Sequence, residues 1–217
     1  MLSAMVFVMR TGIPWRDLPE RFGAWSSVYS RYRRWCTSGL FAKMLALLAR
    51  EAVGQLRHVD CSHIKLHQHG ANPPGGQSAQ AMGRTKGGLN TKLSAAVDAR
   101  GRAVAVSLAP GPQHDLKSVV PLLPALRRRR LVADKGFDAD TFRHVLRANH
   151  TRHCIPIRRT RRASPPFHRG YYRRRHRVEN FFGRIKTHRR ISTRYDKLAE
   201  TFFGFVQLAA VLDWLTH

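Results

Sequence analysis

Residues 57–69 read RHVDCSHIKLHQH. Side chains alternate in character with the period of two that a β-strand imposes. That alternation puts Asp60, Ser62 and Ile64 on one face and Cys61, His63, His67 and His69 on the other. Before this run the chain is patterned as helix, so the change of period marks a change of architecture. Residues 89–101 (LNTKLSAAVDARG) and 102–111 (RAVAVSLAPG) read as two more strands, joined by a turn at Ala99–Gly101. The Gly-rich segment 75–88 between the first strand and these two reads as a loop.

Further on, strand and helix patterns alternate. Residues 114–128 predict a helix despite two prolines, 130–136 a short buried strand, 138–149 a helix capped by an aspartate, and 152–158 another strand. A basic, Pro-containing loop is expected over 159–170, followed by the helix YYRRRHRVENFFGRIK (171–186) and a last apolar helix over 201–215. That order predicts an α/β domain, a mixed sheet with helices on its faces. The last helix contains Gln207 and Asp213, which favours a buried helix over a membrane span.

Residues 1–54 read as all-helical. Gly12 ends the first helix, and a serine is the cap candidate for 24–39. In 24–39, Val28, Tyr29, Tyr32 and Trp35 share a buried face while Arg31, Arg33 and Arg34 occupy others. Helix, tight turn and basic helix are the outline of a helix-turn-helix, with Arg31, Arg33 and Arg34 as candidate DNA contacts.

Charge narrows the partner. The 217 residues hold 39 Lys and Arg against 13 Asp and Glu, a formal charge of +26. Such self-repulsion is tolerable beside a polyanion, and nucleic acid is the leading one. Nothing in the chain resembles a polybasic anchor beside a lipidation site, so a membrane partner is not expected. Cys36, Cys61 and Cys154 form no C-x-x-C pair and read as reduced thiols. The N-terminus lacks a basic n-region and a cleavage site, so the expected compartment is the cytoplasm.

Three acids occupy telling places: Asp60 on the first strand, Asp134 after a short apolar strand, and Glu179 as the only carboxylate between Asp140 and Asp196. The ends of central strands in such a sheet open onto its crevice, where two strand aspartates and a helix glutamate can converge. A pair of Mg²⁺ or Mn²⁺ ions about 4 Å apart would offset their repulsion and clamp a phosphoryl transfer. Plainer readings stand beside this one. Asp60 can be a satisfied strand residue, Asp134 can cap the turn into Lys135–Gly136, and Glu179 can pair with Arg175 four residues back. A zinc site on Cys61, His63, His67 and His69 is disfavoured, because one extended strand cannot wrap a tetrahedral ion. On the helix, Tyr172, Arg175, Glu179 and Lys186 fall along one stripe, bordered by His176 and Phe182. Val178, Phe181 and Ile185 form an apolar stripe beside it.

The spacing Y-x2-R-x3-E-x6-K from Tyr172, Arg175, Glu179 and Lys186 resembles the signature of DDE transposases of bacterial insertion sequences, the IS four and IS five groups. VDCSHIKLH and LVADKGFDAD resemble the segments of that family's two aspartates, TGIPWRDLPERFGAWSSVYSRYRRW its N-terminal region, and RRISTRYDKLAETFFGF its C-terminal stretch. The resemblance implies an RNase H-like fold over 55–217, preceded by the helical region 1–54. It implies Asp60, Asp134 and Glu179 as catalytic and metal-binding triad, with Arg175 and Lys186 near the terminal phosphates and Tyr172 supporting or stacking beside them. It further implies DNA as partner (element ends and target), a dimer on DNA, and a bacterial, nucleoid-associated setting. Asp115 matches a recurrent acid of the group, and a cap on the following helix explains it equally well. Relatives usually begin some tens of residues earlier, so a shortened N-terminus is expected, and with it a DNA-binding relic acting as repressor as the alternative function. A nuclease without strand transfer is a third option with the same fold and metals.

Overall fold

The computed structural model of the protein describes residues 1–159, 161 and 167–217. Three helices come first: α1 (Leu2–Thr11), α2 (Trp25–Thr37) and α3 (Leu40–Leu48). Gly12 closes α1 in the left-handed conformation (φ 74°), its N–H donating to the carbonyl of Val8. That conformation is disfavoured for any residue with a Cβ. Val28 and Tyr32 are buried along α2, with Tyr29 and Trp35 half-buried beside them. Two expectations change here. No serine caps α2, because Ser26 and Ser27 fall inside its first turn and the N-cap is Ala24. The tight turn, at Ser38–Gly39, follows the basic helix, whereas the connection preceding that helix carries two 3-10 turns, Trp15–Asp17 and Glu20–Phe22.

The expected mixed sheet with flanking helices is present. Its first strand, β1 (Leu56–Leu66), is central. β2 (Gly83–Thr85) falls inside the segment expected to be loop, where it pairs with the start of β3 (Gly88–Val97). β3 runs antiparallel to β1 and to β4 (Ala103–Pro110). The β3–β4 turn is held by buried Asp98, which accepts from the backbone N–H groups of Val53, Arg100 and Arg102 and from the Arg102 guanidinium. Burial alone would raise this carboxyl, but Arg102 and the three N–H groups bring it below the usual carboxylate range.

The helix expected over 114–128 is broken into α4 (Asp115–Ser118), a 3-10 turn at Val120–Leu122, and α5 (Leu123–Leu126). Pro121 and Pro124 lack the N–H groups that a continuous helix needs. Asp115 is not the cap of α4. His114 is, while Asp115 pairs with Lys92 of β3 at 2.5 Å. Next come β5 (Arg130–Val132), α6 (Asp140–Ala148) and β6 (Arg152–Cys154). β5 and β6 extend the sheet from β1 in parallel. No aspartate caps α6. Asp138, two residues before its start, is buried and accepts instead from the Arg143 guanidinium and the N–H of Arg158. The loop expected over 159–170 lies in part outside the described residues.

The signature segment is not one helix. It divides into α7 (Arg169–Tyr172), a 3-10 turn at Arg173–Arg175, and α8 (His176–Ile185). α9 (Arg189–Ser192), β7 (Thr193–Arg194) and α10 (Ala199–Thr216) complete the chain, and β7 pairs with the far end of β1.

The alternation of β1 sorts two cores. Val59 joins Leu131, Ala133, Phe137, Phe142 and Leu146 on the side of α4 to α6. Ile64 joins Leu93, Val178, Phe181, Ile185 and Phe205 on the side of α8 and α10. The second core also holds Met5, Val8, Tyr32 and Phe41, so the N-terminal helices share it with α10. α10 is apolar on all sides because it is packed on all sides, which fits the burial expected of it. Among the described residues no helix is long and apolar enough to cross a membrane.

Gly204 sets the approach of α10 to α2. A Cβ there would stand 2.4 Å from Cys36 Sγ and 2.9 Å from Tyr32 Oη, and Tyr32 is itself fixed by donating to the carbonyl of Thr201 at 2.5 Å. Alanine gains about 1 kcal/mol of helix propensity over glycine, while overpacking a filled core costs about 1–3 kcal/mol. Gly204→Ala is therefore expected to lower the urea midpoint. Adding Cys36→Ala, which removes the nearer clash, should restore part of the loss.

Candidate active site

β1 and β5 run parallel with His58 opposite Val132. Two residues beyond that pair stand Asp60, still within β1, and Asp134, just past the end of β5, whose charge is felt at Asp60. Asp60 Oδ1 accepts from the N–H of Cys61 at 2.8 Å, and Asp134 Oδ1 accepts from the N–H of Gly136 at 2.8 Å. The second contact makes Asp134 the cap of a 3-10 turn at Lys135–Phe137, so the plainer reading of this residue is also present in the fold. Burial raises the Asp60 carboxyl above its ordinary range, and the nearby charge of Asp134 adds to the rise. The Cys61 N–H and Arg175 oppose it without cancelling it.

α8 lies across this face, with Val178, Phe181, Phe182 and Ile185 buried. The apolar side is thus wider than the three-residue stripe expected, and includes Phe182. The opposite edge carries the polar groups. Arg175 Nη1 donates to Asp60 Oδ2 at 3.0 Å, while its Nη2 donates to Glu179 Oε1. One guanidinium therefore joins the strand aspartate to the helix glutamate. Burial would lower Arg175, but the charges of Asp60 and Glu179 outweigh it and raise its pKa. Glu179 is half-exposed beyond this bridge. Among the described residues no three Asp, Glu, His or Cys side chains come close enough to enclose a metal ion as they stand. Asp134 stands near enough to Asp60 for its charge to be felt there, and Glu179 is linked to Asp60 through Arg175.

Two turns along α8, Lys186 donates to Ser62 Oγ at 2.7 Å and to the carbonyl of His63 at 3.1 Å. Burial lowers its pKa. Tyr172, half-buried, has its ring 5.4 Å from that of Phe167. With Lys135, Arg169 and Arg173 these two rings line a recess of about 380 Å³. Phe167, Lys135, Arg169 and Arg173 were not singled out from the sequence. Adjacency to Asp134 and Tyr172 was the only signal they carried. Cys61 and His63 face the other way, toward Ser94 and Asn90, and His67 and His69 lie beyond the end of β1, so the four do not converge. Arg31 and Arg34 are exposed and Arg33 half-buried on α2, which packs on α1, α3 and α10. The structure does not bring these three to the carboxylates.

The acids can be sorted by partner. Asp98, Asp115, Asp138, Asp140, Asp196 and Asp213 each pair with a lysine or arginine, and Asp60 and Glu179 share Arg175. Asp17, Glu20, Glu51 and Glu200 are exposed. Among the described residues Asp134 is the one acid that is neither exposed nor paired with a cation.

Residues 52–214 match a family model described as "Transposase DDE domain", and residues 1–45 match one described as "Putative transposase of IS4/5 family". A putative transposase for insertion sequence element IS6501 from Brucella ovis is 35% identical over 129 residues, 58% of this chain and 99% of that protein. An uncharacterized protein, y4sN, from Sinorhizobium fredii is 44% identical over 70 residues, 32% of this chain and 56% of that protein. No solved structure matches.

The raised Asp60 fixes the sign of a stability test. A carboxyl whose folded pKa exceeds its unfolded value costs stability above the folded pKa, and the cost vanishes below the unfolded one. Asp60→Asn removes the charge and keeps the shape. In chelator, its melting temperature is expected to exceed that of the parent at pH 7 and to match it at about pH 3, below the ordinary aspartate pKa. A variant less stable than the parent at pH 7 would show that the Arg175 pairing outweighs the burial of Asp60.

Proposed function

The chain belongs to the DDE transposase family, and on that footing we propose that Asp60, Asp134 and Glu179 are its catalytic carboxylates, acting with Mg²⁺ or Mn²⁺ on DNA at the ends of an insertion sequence. The observation that carries this reading is half-buried Asp134, which among the described residues pairs with no cation in a protein that holds 39 cationic side chains. The nearby Asp60 is raised by burial and in part by that charge. Two adjacent carboxylates short of positive charge suit a divalent cation, and a donor set made of oxygen alone suits Mg²⁺ or Mn²⁺ better than zinc. When bound, a pair of such ions would lower the pKa of a coordinated water and neutralise charge on the phosphate.

The side chains around the acids supply the rest. Arg175 holds Asp60 and Glu179 as counter-ion, so a metal shared by those two carboxylates requires the guanidinium to release at least one of them. Released, it is a bidentate donor beside the site, the form in which arginine binds phosphate best. Lys186, fixed against Ser62 and the carbonyl of His63, keeps a cation on the same face. Tyr172 and Phe167 offer ring surface to a base. Hydrolysis at an element end would free a 3′-OH, and attack of that hydroxyl on target DNA would join the strands. Both displacements need positioning and charge neutralisation, and neither needs a covalent enzyme intermediate. Arg31, Arg33 and Arg34 remain proposed as DNA contacts of the helical region, outside the carboxylate site. Pairing two ends calls for two copies of the chain on DNA, and the reaction belongs in the cytoplasm, at the nucleoid.

A supercoiled plasmid carrying the gene with its flanking DNA, where inverted repeats are expected, tests the assignment. Asp60→Ala, Asp134→Ala and Glu179→Ala are each expected to lower Mg²⁺-dependent nicking by about 10²-fold or more, with duplex binding retained. Nicking at the parental level in any one removes that residue from the triad. Parental nicking without joining of a pre-cut 3′-OH end to target would make the protein a plain nuclease. Salt-sensitive binding with no nicking under either metal would make it a repressor.

A further inference from the structure

The parallel strands have two ends. The carboxylates stand at one, and at the other Leu56, Arg130 and Arg152 begin β1, β5 and β6 side by side, paired in register. Beside them is a cavity of about 680 Å³ lined by Arg128, Arg129, Arg130, Arg152, Arg174 and His150. No acid lines it, and among the described residues none of these five arginines pairs with a carboxylate. One wall is the ring of Tyr171, with the Arg130 guanidinium 5.0 Å from its centre. Tyr171 and Arg174 immediately precede Tyr172 and Arg175, so one short segment supplies side chains both to this cavity and to the carboxylate site.

Three buried arginines elsewhere in the protein meet acids, Arg102 with Asp98, Arg143 with Asp138 and Arg190 with Asp196, while buried Arg194 is held by carbonyls and the Thr91 hydroxyl. Arg57, 3% exposed and next to Leu56, reaches only the carbonyls of Val53, Gly54 and Leu56, and its Nε has no partner. Burial lowers Arg57, and the charge of Arg129 lowers it further. The charge of Asp98 offsets this at Arg57 only in part. Fully buried His58 has both ring nitrogens unpartnered. Arg128 and His150 also both take the left-handed conformation, φ 58° and 54°, which residues with a Cβ hold at a cost.

We propose that this cavity is a second DNA-backbone site, a cradle for phosphates at the ends of β1, β5 and β6 opposite the carboxylates. It rests on the reading of the chain as a DNA-handling enzyme. Adjacent, unpaired guanidinium groups with an aromatic wall match a phosphodiester strand, because arginine binds phosphate bidentately and every base presents a π-face. From Arg130 to Asp134 is four residues of extended chain, about 13 Å. Duplex DNA rises about 3.4 Å per base pair, so a duplex reacting at the carboxylates would meet the cradle about four pairs away.

The test uses the full chain and a 30-base-pair duplex, with binding read by anisotropy across a salt series. Arg128→Gly removes a charge while supplying the residue that a left-handed position prefers, and Arg152→Gln removes an exposed one. The double variant is expected to melt no lower than the parent. The slope of log affinity against log salt should become shallower by about two, at about 0.9 per phosphate contact. Arg128→Lys/Arg152→Lys should keep the parental slope. As comparison, Arg50→Gln/Arg84→Gln removes two exposed charges elsewhere and should change the slope less. An unchanged slope in the cradle variant, or an equal change in the comparison pair, overturns the proposal while leaving the triad untouched. If the parent itself fails to bind duplex, the functional reading fails and the cradle with it.

Discussion

Anions are the scarce component of this protein. With 39 cationic side chains against 13 carboxylates, an arginine that must be buried competes for few partners, and the placement of those partners organises the fold. Asp98 pins the β3–β4 turn to the entry of β1. Asp138 draws Arg143, Arg161 and the N–H of Arg158 together where the chain leaves β5 and β6. Asp213 ties α10 to Arg184 of α8, and Asp196 holds Arg190. Once these assignments are made, Asp60 and Glu179 share a single guanidinium and, among the described residues, Asp134 has none. The carboxylate site is where the internal supply of counter-charge stops short.

That scarcity explains why the site was legible in the sequence. The alternation of β1 separated Asp60 from Cys61 and His63, and the structure puts them on opposite faces as read. The stripe of Arg175, Glu179 and Lys186 was visible from spacing, and its side chains do meet Asp60 and Ser62. What escaped the reading was three-dimensional. Nothing in local sequence said that Arg175 would bridge two acids, or that three consecutive arginines would wind as a 3-10 turn between α7 and α8. Such a turn sends Arg174 and Arg175 toward opposite ends of the strands. The cradle was invisible for the same reason, since its arginines come from segments that only the sheet register brings together.

Local errors had local causes. Pro121 and Pro124 broke an apolar run that looks helical by periodicity alone. Caps were misassigned at α2, α4 and α6, because a Ser or Asp near a helix start is a common cap and only geometry says which residue fills the position. At α4 the imidazole of His114 takes it, freeing Asp115 for Lys92. At α6 Asp138 is withheld from capping by the arginines that need it.

The shared core of α1, α2, α3 and α10 has a consequence for how the chain can be made. Synthesis runs from the N-terminus, and a domain emerging from the ribosome folds as soon as its contacts are available. Here the apolar faces of residues 2–48 are closed by residues 199–216, and Tyr32 finds its acceptor only at Thr201. The first helices must therefore wait, uncovered, until some 150 later residues have been added. Their pairing is among the most distant along the chain, which makes it slow to form. The first part of the fold therefore depends on α10, added long after it, for the closure of its core.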